Sequence, residues 1–356
     1  FMPETEKQNQ LDLREITSDV LNIIDQERET EIITRRFGLY DRKETLEQIG
    51  ELLSITRERV RQLEKAILIK LKISIGNNPE ILQSFEKVTT RFLSESGRAS
   101  KINILTDSII GKKSSAIDQA HVAFLAELSN NFIVLNENDA YYHAVAMADG
   151  KTEKDLKKLI DTVVNTIKKQ GSAITLEELH ELLSMENPKQ VQAIASLSKK
   201  LSSLNGKWGL SKWPTVNPKN IRDKIYVILM EKGKPMHFSE ISDAIKDSSF
   251  KRKNVTTQAI HNELIKDKRF VLIGRGIYAL VAWGYNKGTV ADVIASVLRE
   301  SGKPMHRDDI VKAVLKKRQV KETTVLLNLQ SKKTQFIRTS KATYSLAEPT
   351  EEKITQ

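Results

Sequence analysis

The chain has 356 residues, a formal net charge of +11 and a pI near 9.4. A basic balance of this size favours a polyanionic partner, nucleic acid first. Because the sequence contains no cysteine, a disulfide framework, a thiol nucleophile and zinc–thiolate fingers are excluded. No stretch approaches the roughly 20 apolar residues that cross a bilayer, and no signal peptide is visible. We therefore expect a cytoplasmic, nucleoid-associated protein with no membrane segment and about two to four domains.

A polar leader at residues 1–11 is predicted to be disordered, and the first strong pattern lies at residues 45–72. This segment reads TLEQIGELLSITRERVRQLEKAILIKLK and predicts a helix, a tight turn and a second, basic helix. Thr45 and Gln48 form a capping box for the first helix, and Thr56 caps the second. The apolar side chains predicted to face inward are Leu46, Ile49, Leu52, Leu53, Val60, Leu63 and Ile67.

The second helix leaves one set of polar side chains facing out: Thr56, Arg57, Glu58, Arg59, Arg61, Gln62 and Lys65. Arg can bond bidentately to guanine, Gln to adenine, and Glu can accept from cytosine. Spare cations can hold phosphates, and the N-terminal part of a recognition helix reaches the base edges. A solvated charged helix on an ordinary bundle would carry similar residues, so charge alone does not decide between the two interpretations.

The run RRFGL at residues 35–39, followed by TLEQIGELL and TRERVRQLEKAILIKL, resembles region 4 of the primary bacterial sigma factors. The resemblance covers roughly residues 12–74. It implies a domain that recognises the promoter −35 element and docks on the β flap of RNA polymerase. Base reading would fall on Arg57, Glu58 and Gln62, and phosphate contact on Thr56, Arg59 and Arg61. The sigma region that melts the −10 element has no counterpart here, so we expect the chain alone not to open a promoter.

The rest of the chain is repetitive. Residues 221–245 and 290–314 each contain G-K-P-M-H between two amphipathic helices, and each copy closes with two strand-like runs, at 269–280 and 335–346. Helices followed by a β-hairpin in a unit of this length are typical of a winged helix. An internal repeat is strong evidence for the fold and takes precedence over weaker local patterns. Two weaker copies begin near residues 85 and 156. Turn glycines mark the same place in each copy, at Gly97, Gly171, Gly233 and Gly302.

The predicted fold class is therefore mainly α with small β-hairpins (α+β). The predicted order is an N-terminal helix-turn-helix domain and then about four tandem winged-helix domains. Their predicted bounds are 12–76, 80–150, 151–216, 217–286 and 287–348, followed by a tail at 349–356.

The third copy contains KPMHFSEISDAI and then NVTTQAIHNELIKDKRFVLIGRGIYALVAWGY, which resembles the HARE-type winged helix. That domain occurs in the delta subunit of Gram-positive RNA polymerase, in some restriction endonucleases and in certain eukaryotic chromatin proteins. The long acidic tail of the delta subunit has no counterpart here, so we expect no role that depends on it. Residues 219–287 contain 14 Lys and Arg against 7 Asp and Glu.

This copy supplies the second set of predicted DNA contacts. A basic turn leads into a helix from Val255 to Ile265, which Asn254 would cap, and a hairpin tip carries an arginine that can enter a minor groove. The predicted contacts are Lys251, Arg252, Lys253, Thr257, Gln258, His261 and Arg275, and Asn262 could face the groove with them.

Other copies favour protein contact. The wing of the first copy, LNENDAYY, is acidic and should repel phosphate, so we expect it to contact protein or pack on a neighbour. The third helix of the fourth copy, TTVLLNLQ at 323–330, is more apolar than a reading helix usually is.

The sequence predicts no catalytic residue, cofactor or metal. His237 and His306 occupy equivalent places, where each is expected to bond locally at a helix start rather than bind a metal. No phosphate-binding loop, nucleophile elbow or zinc-protease motif is present.

These patterns predict a DNA-binding transcription factor with double-stranded DNA and RNA polymerase as partners. Two alternatives stay open. The chain could be a polymerase accessory subunit that acts mainly through protein contacts, or the DNA-recognition component of a restriction or defence system.

Overall fold

The computed structural model describes residues 11–185, 187–252, 254–285, 288–318, 320–331 and 335–347. The chain divides into two compact units, Phe1–Lys212 and Trp213–Gln356. The predicted fold class is confirmed, because helices predominate and the strands of the described residues form four small three-stranded antiparallel sheets. None of the helices in these ranges combines the length and apolar character that a membrane span requires.

The first unit begins with four helices: α1 (Leu13–Leu21), α2 (Glu27–Phe37), α3 (Leu46–Leu53) and α4 (Arg57–Asn77). The RRFGL run ends α2 and ties it to the helices that follow. Arg35 pairs with Glu44 at 2.9 Å, and Arg36 pairs with Glu64 of α4 at 3.2 Å. Leu39 is fully buried. The motif therefore fixes the base on which α3 and α4 rest.

Four later segments share one order of elements, namely a helix, a short strand, two helices and two longer strands. The first is α5 (Glu80–Glu95), β1 (Ala99–Lys101), α6 (Ile102–Ile110), α7 (Ala116–Leu128), β2 (Phe132–Leu135) and β3 (Ala144–Met147). The second is α8 (Glu153–Gln170), β4 (Ile174–Thr175), α9 (Leu176–Leu183), α10 (Pro188–Ser196), β5 (Leu201–Leu204) and β6 (Lys207–Leu210).

The second unit contains the other two. The third segment is α11 (Ile221–Lys232), β7 (Met236–His237), α12 (Phe238–Asp247), α13 (Thr257–Lys266), β8 (Phe270–Gly274) and β9 (Ile277–Leu280), followed by a short 3-10 helix, Val281–Trp283. The fourth is α14 (Val290–Ser301), β10 (Met305–His306), α15 (Arg307–Lys317), α16 (Glu322–Gln330), β11 (Phe336–Ser340) and β12 (Thr343–Leu346).

In each sheet the last strand lies in the centre and pairs antiparallel with both of the others. The repeated P-M-H motif places Met236 opposite Tyr278 and Met305 opposite Tyr344. Each repeat glycine follows the first helix of its segment with a positive φ, between 63° and 87°, which glycine adopts without the cost of a Cβ. The hairpins follow the predicted pattern. The short strands were not predicted, because two or three residues carry no periodic signal.

Helix α7 joins the first repeat to the four N-terminal helices. Nearly all of its central side chains are buried, and they belong to one apolar core that runs from α1 to β3. Phe124 meets Phe37 of α2 edge to face, with ring centroids 5.0 Å apart. His121 is 1% exposed, and its Nδ1 lies 2.8 Å from the Thr17 hydroxyl of α1. Residues 12–76 and 80–150, predicted as successive domains, therefore share a single core.

The acidic wing of the first repeat packs on the second repeat. This agrees with the expectation that the wing packs on a neighbouring repeat rather than contacts DNA. The Tyr142 amide donates to the Leu197 carbonyl at 2.9 Å, and the Lys199 amide donates to the Ala140 carbonyl at 2.8 Å. The Lys199 ammonium lies 2.7 Å from the Glu137 carboxylate. Helix α10 also contacts β1. The Glu137 carboxylate of this wing therefore serves an intramolecular contact.

Helices α13 and α16 differ from α7 in burial. In α13 the buried residues are Ile260 and Leu264, and in α16 they are Val325 and Leu329. Both pairs have the i, i+4 spacing of a helix that packs on one side only. The other sides of these two helices carry exposed residues.

We predict that Phe124→Ala unfolds α1–α4 together with the first repeat. Removing this ring from the shared core should cost about 3–5 kcal/mol. The measurement is chemical denaturation of the full chain, combined with hydrogen exchange read separately for peptides from α1–α4 and from α5–α7. Ile104→Ala in α6 is the control, because Ile104 is half exposed and should change stability by less than about 0.5 kcal/mol. Retained protection in α1–α4 beside lost protection in α5–α7 would contradict a shared core.

Candidate nucleic-acid interface

Helices α3 and α4 form a helix-turn-helix with the predicted caps. Thr45 and Gln48 form a capping box, and the Thr56 hydroxyl accepts from the Arg59 amide at 3.2 Å. In the turn, Ser54 has a φ of 55° and the Ile55 amide donates to the Gly50 carbonyl at 2.9 Å. The predictions of both caps and of the turn are confirmed.

Gly50 is essential to this turn and was not singled out from the sequence. A Cβ placed on Gly50 would lie 2.7 Å from the Ile55 carbonyl oxygen, closer than a real Cβ contact allows. The signal was available, because an isolated glycine within a helical apolar pattern often marks close packing.

The inward faces largely follow the prediction. Ile49, Val60 and Ile67 are buried, and Leu63 is half-buried. Leu52 was predicted to face inward and is 53% exposed, so that prediction is wrong. Gly50 is buried where α3 meets the turn, and Leu52 points away from this contact.

All seven residues predicted to read DNA through α4 are exposed: Thr56, Arg57, Glu58, Arg59, Arg61, Gln62 and Lys65. Arg61 and Gln62 bond to Glu58, and Arg59 joins this group through Gln62 at 3.5 Å. The Glu58 carboxylate accepts from the Arg61 guanidinium at 2.6 and 2.8 Å and from the Gln62 amide at 3.4 Å. Arg57 pairs at 2.9 Å with Glu47 of α3. The Arg57, Arg61 and Gln62 donors are therefore held in place before any ligand arrives.

The bonds between Glu58 and Arg61 favour the ionised form of both groups. Hydrogen bonds from Arg61 hold the pKa of Glu58 below its ordinary value, and the same bonds raise the pKa of Arg61. Exposed ion pairs contribute little to stability. Each of these side chains can therefore give up its present partner for a base edge or a phosphate at a small cost in free energy. Glu47 lies ten positions from Arg57 and on another helix, so no sequence spacing indicated this pair.

The third repeat presents a second group of predicted contacts. Lys251 and Arg252 are exposed in the turn before α13, and Arg275 is exposed in the β8–β9 turn. Gln258 and Asn262 are exposed on α13, with the Gln258 amide donating to Asn262 at 3.1 Å. The predicted contact Lys253 lies outside the described residues.

Two predicted contacts on α13 face the protein instead. The Thr257 hydroxyl lies 3.3 Å from the hydroxyl of Ser242, a buried residue of α12. His261 is half-buried against Phe238 and Tyr278, with ring centroids 4.9 and 6.1 Å apart. Neither side chain stands free in solvent as a groove-facing residue would.

The start of α13 also differs from the prediction. Thr256 is the N-cap and accepts from the Ala259 amide at 3.2 Å, so Asn254 does not cap the helix, which begins at Thr257. The helix therefore starts two residues later than predicted.

The two equivalent histidines act as helix caps, as predicted. The His237 ring accepts from the Ser239 amide at 3.3 Å, and the His306 ring accepts from the Asp308 amide at 3.4 Å. Within the ranges that the structure describes, no group of three or more His, Cys, Asp or Glu side chains could hold a metal ion.

Comparison with known proteins identifies the helix-turn-helix segment. Residues 26–72 match the family model "Sigma-70, region 4". The segment resembles the RNA polymerase sigma factor SigA of a Bacillus species, with 46% identity over 61 residues. It also resembles sigma factor sigB of Arabidopsis thaliana, with 48% identity over 52 residues, and sigma factor RpoD of Helicobacter pylori, with 44% over 62 residues. The prediction of a sigma region 4 domain is confirmed for this segment.

These matches are local. They cover 17%, 14% and 16% of this chain, and 16%, 9% and 9% of the respective relatives. The chain therefore spans a sixth or less of the length of these sigma factors.

We predict that Gly50→Ala destabilises the helix-turn-helix by about 1–3 kcal/mol, because the added methyl forces the turn to move. Gly76→Ala, near the end of α4, is the matched control. Apart from its own stretch of helix, no atom of the described residues lies within 4 Å of its added Cβ, and alanine favours a helix over glycine by about 1 kcal/mol. Chemical denaturation should therefore show opposite signs for the two substitutions. Equal and small changes would show that the turn does not depend on the missing Cβ.

Proposed function

We propose that this chain is a DNA-binding transcription factor whose sigma region 4-like module recognises a −35-like promoter element, docks on the β flap of RNA polymerase, or does both. The observation that carries the proposal is the exposed, hydrogen-bonded set of side chains on the first turns of α4, in a segment that matches sigma-70 region 4. The relatives are RNA polymerase sigma factors by name. We further propose that the chain acts by binding, in the nucleoid, and has no catalytic activity of its own.

The chemistry of α4 supports direct reading of DNA. Arg57, Glu58 and Gln62 lie within the first two turns, which is the part of a recognition helix that reaches base edges. Arg suits guanine, Gln suits adenine and Glu suits cytosine. Arg59, Arg61 and Lys65 supply cations beside them for phosphates.

We also propose that the four repeats are winged helices with the bounds predicted from sequence, the third being of the HARE type. Their shared order of helices and strands and their three-stranded sheets support this assignment. Among them the third is the best candidate for a second DNA contact, through Lys251, Arg252, Gln258 and Arg275. All four side chains are exposed. The first two repeats would serve as a scaffold, because α7 is largely buried and α10 packs against β1 within the first unit.

Selection of bound fragments from a random DNA pool, with and without RNA polymerase, tests the site. A −35-like consensus is the expected result. We then predict that Arg57→Ala and Gln62→Ala weaken binding to the selected site far more than binding to mixed-sequence DNA. Each lost base contact should reduce discrimination by about 1–3 kcal/mol. Equal losses on both DNAs would reject the base-reading assignment.

Lys70→Ala provides the control for charge. Lys70 is an exposed cation on α4 beyond the proposed reading turns, and it pairs with Asp25 at 3.2 Å. Its loss should leave discrimination between the two DNAs unchanged. A drop in discrimination as large as that of Arg57→Ala would assign the effect to charge rather than to base reading.

A second candidate function is that of a polymerase accessory subunit which acts mainly through protein contacts. The fourth repeat favours it. Leu327 is 68% exposed on α16. Leu327 lies two residues after Val325, the first buried residue of α16. Asn262 lies two residues after Ile260, the first buried residue of α13, so the two positions are equivalent. An exposed leucine there suits a protein surface better than a DNA groove.

This second function predicts that polymerase is captured by the full chain and stays bound after nuclease treatment. Leu327→Asn, which copies the residue of the third repeat, should reduce that capture, whereas Asn262→Ala should not. Capture that is lost on nuclease treatment would show instead that DNA links the two proteins.

A further inference from the structure

Lys224 is an unusual residue, because its ammonium is buried in the third repeat without an acidic partner. The residue is 4% exposed and lies in the first turn of α11. Among the described residues it forms no ion pair, since the neighbouring Asp223 pairs with Arg269 at 3.2 Å instead. Burial lowers the pKa of Lys224, and the positive charge of Arg252 lowers it further. A buried charge of this kind is unfavourable unless it makes a specific bond.

That bond goes to the backbone of the basic turn. The Lys224 ammonium donates to the Arg252 carbonyl oxygen at 2.7 Å, across 28 positions of the sequence. Arg252 has a φ of 54°, a left-handed conformation that is unfavourable for a residue with a Cβ. Two residues earlier, Phe250 is buried and also anchors the turn. The turn is therefore held at two points, and one of them is Lys224.

The turn at 251–252 has a fixed inner side and a fixed outer side. Its backbone points a carbonyl inward to Lys224, while the side chains of Lys251 and Arg252 stand in solvent ahead of α13. Strained backbone of this kind persists only where the surroundings fix it, and it concentrates at functional sites. Without the Lys224 bond, Arg252 could relax to an ordinary conformation, and the two cations would lose their fixed direction.

We propose that Lys224 is a positioning residue, which holds the turn at 251–252 so that its two cations meet the DNA backbone beside α13. This inference rests on the proposed function of the third repeat as a DNA contact. Lys224 itself touches no DNA in this arrangement, since its ammonium is buried. Its effect on binding passes through the Arg252 backbone.

The test measures binding of the full chain to a short mixed-sequence duplex over a range of salt concentrations. Loss of one phosphate contact reduces the slope of log affinity against log salt by about 0.9, or about threefold in affinity over a fourfold change in salt. Arg252→Ala should show this loss. Lys224→Met, which removes a charge that DNA cannot reach, should show at least this loss, because both cations of the turn lose their fixed direction. Adding Arg252→Ala to Lys224→Met should cause no further loss.

Two further measurements separate positioning from a general defect. Lys232→Met removes an exposed cation from the same helix and should leave the slope nearly unchanged. Trypsin cleavage after Arg252, followed by mass spectrometry without DNA, should be faster in Lys224→Met than in the parent chain. If Lys224→Met does not fold, as judged by circular dichroism, Lys224→Gln keeps a shorter donor and is measured in its place.

The outcomes are distinct. If Arg252→Ala reduces the slope and a folded Lys224 variant does not, the positioning role is wrong while the DNA contact stands. If Lys251→Ala and Arg252→Ala both leave the slope unchanged, the turn does not contact DNA. That result would remove Lys251 and Arg252 from the proposed contacts of the third repeat, and the positioning role of Lys224 with them.

Discussion

Helix α7 needs neighbours on every side, and this requirement organises the first unit. Its central residues, from His121 to Leu128, are largely buried. A helix with apolar side chains on all sides is stable only when other elements cover every side. Helices α1, α2 and α4 cover one side, and the rest of the first repeat covers the other. The sigma region 4 segment is thus built into a larger body. Helix α4 is presented from a base that is fixed by packing, and its exposed side chains keep their direction without help from a partner.

The four repeats share one order of elements but differ in which surfaces they expose. In the first unit, α7 and α10 occupy the third-helix position. Helix α7 is largely buried, and α10 packs against β1 of the first repeat. The acidic wing of the first repeat binds the second repeat through Glu137 and Lys199. In the second unit, α13 and α16 pack on one side and carry exposed residues on the other. A third helix is available to an external partner only where one side of it is left polar or unpaired. The topology alone therefore does not say which repeat binds.

The two proposed DNA surfaces differ in their electrostatics. On α4, each of the strongest donors already has an acceptor: Arg61 has Glu58 and Arg57 has Glu47. Such a face suits recognition, because it exchanges defined hydrogen bonds for others at small cost. The turn before α13 instead places two cations side by side and relies on Lys224 for its shape. It suits attachment to phosphates, whose strength varies with salt. In this proposal α4 recognises the base sequence, and the turn before α13 attaches the chain to the DNA backbone.

The sequence by itself determined the local structure: the caps at Thr45 and Thr56, the inner face with Ile49, Val60 and Ile67, the hairpins, and the repeat glycines. These depend on neighbours within a few positions or on a repeated pattern, and both are visible in a chain of letters. The seven outward residues of α4 could be predicted for the same reason, because helical periodicity fixes which side faces out. The exposure of Leu52, the packing of Thr257 and His261 against the protein, and the bonds of Glu47 and Lys224 could not be predicted. Their settings depend on atoms from another helix or from a turn, up to 28 positions away. Only the tertiary structure decided those contacts, because packing between distant segments leaves no period in the sequence.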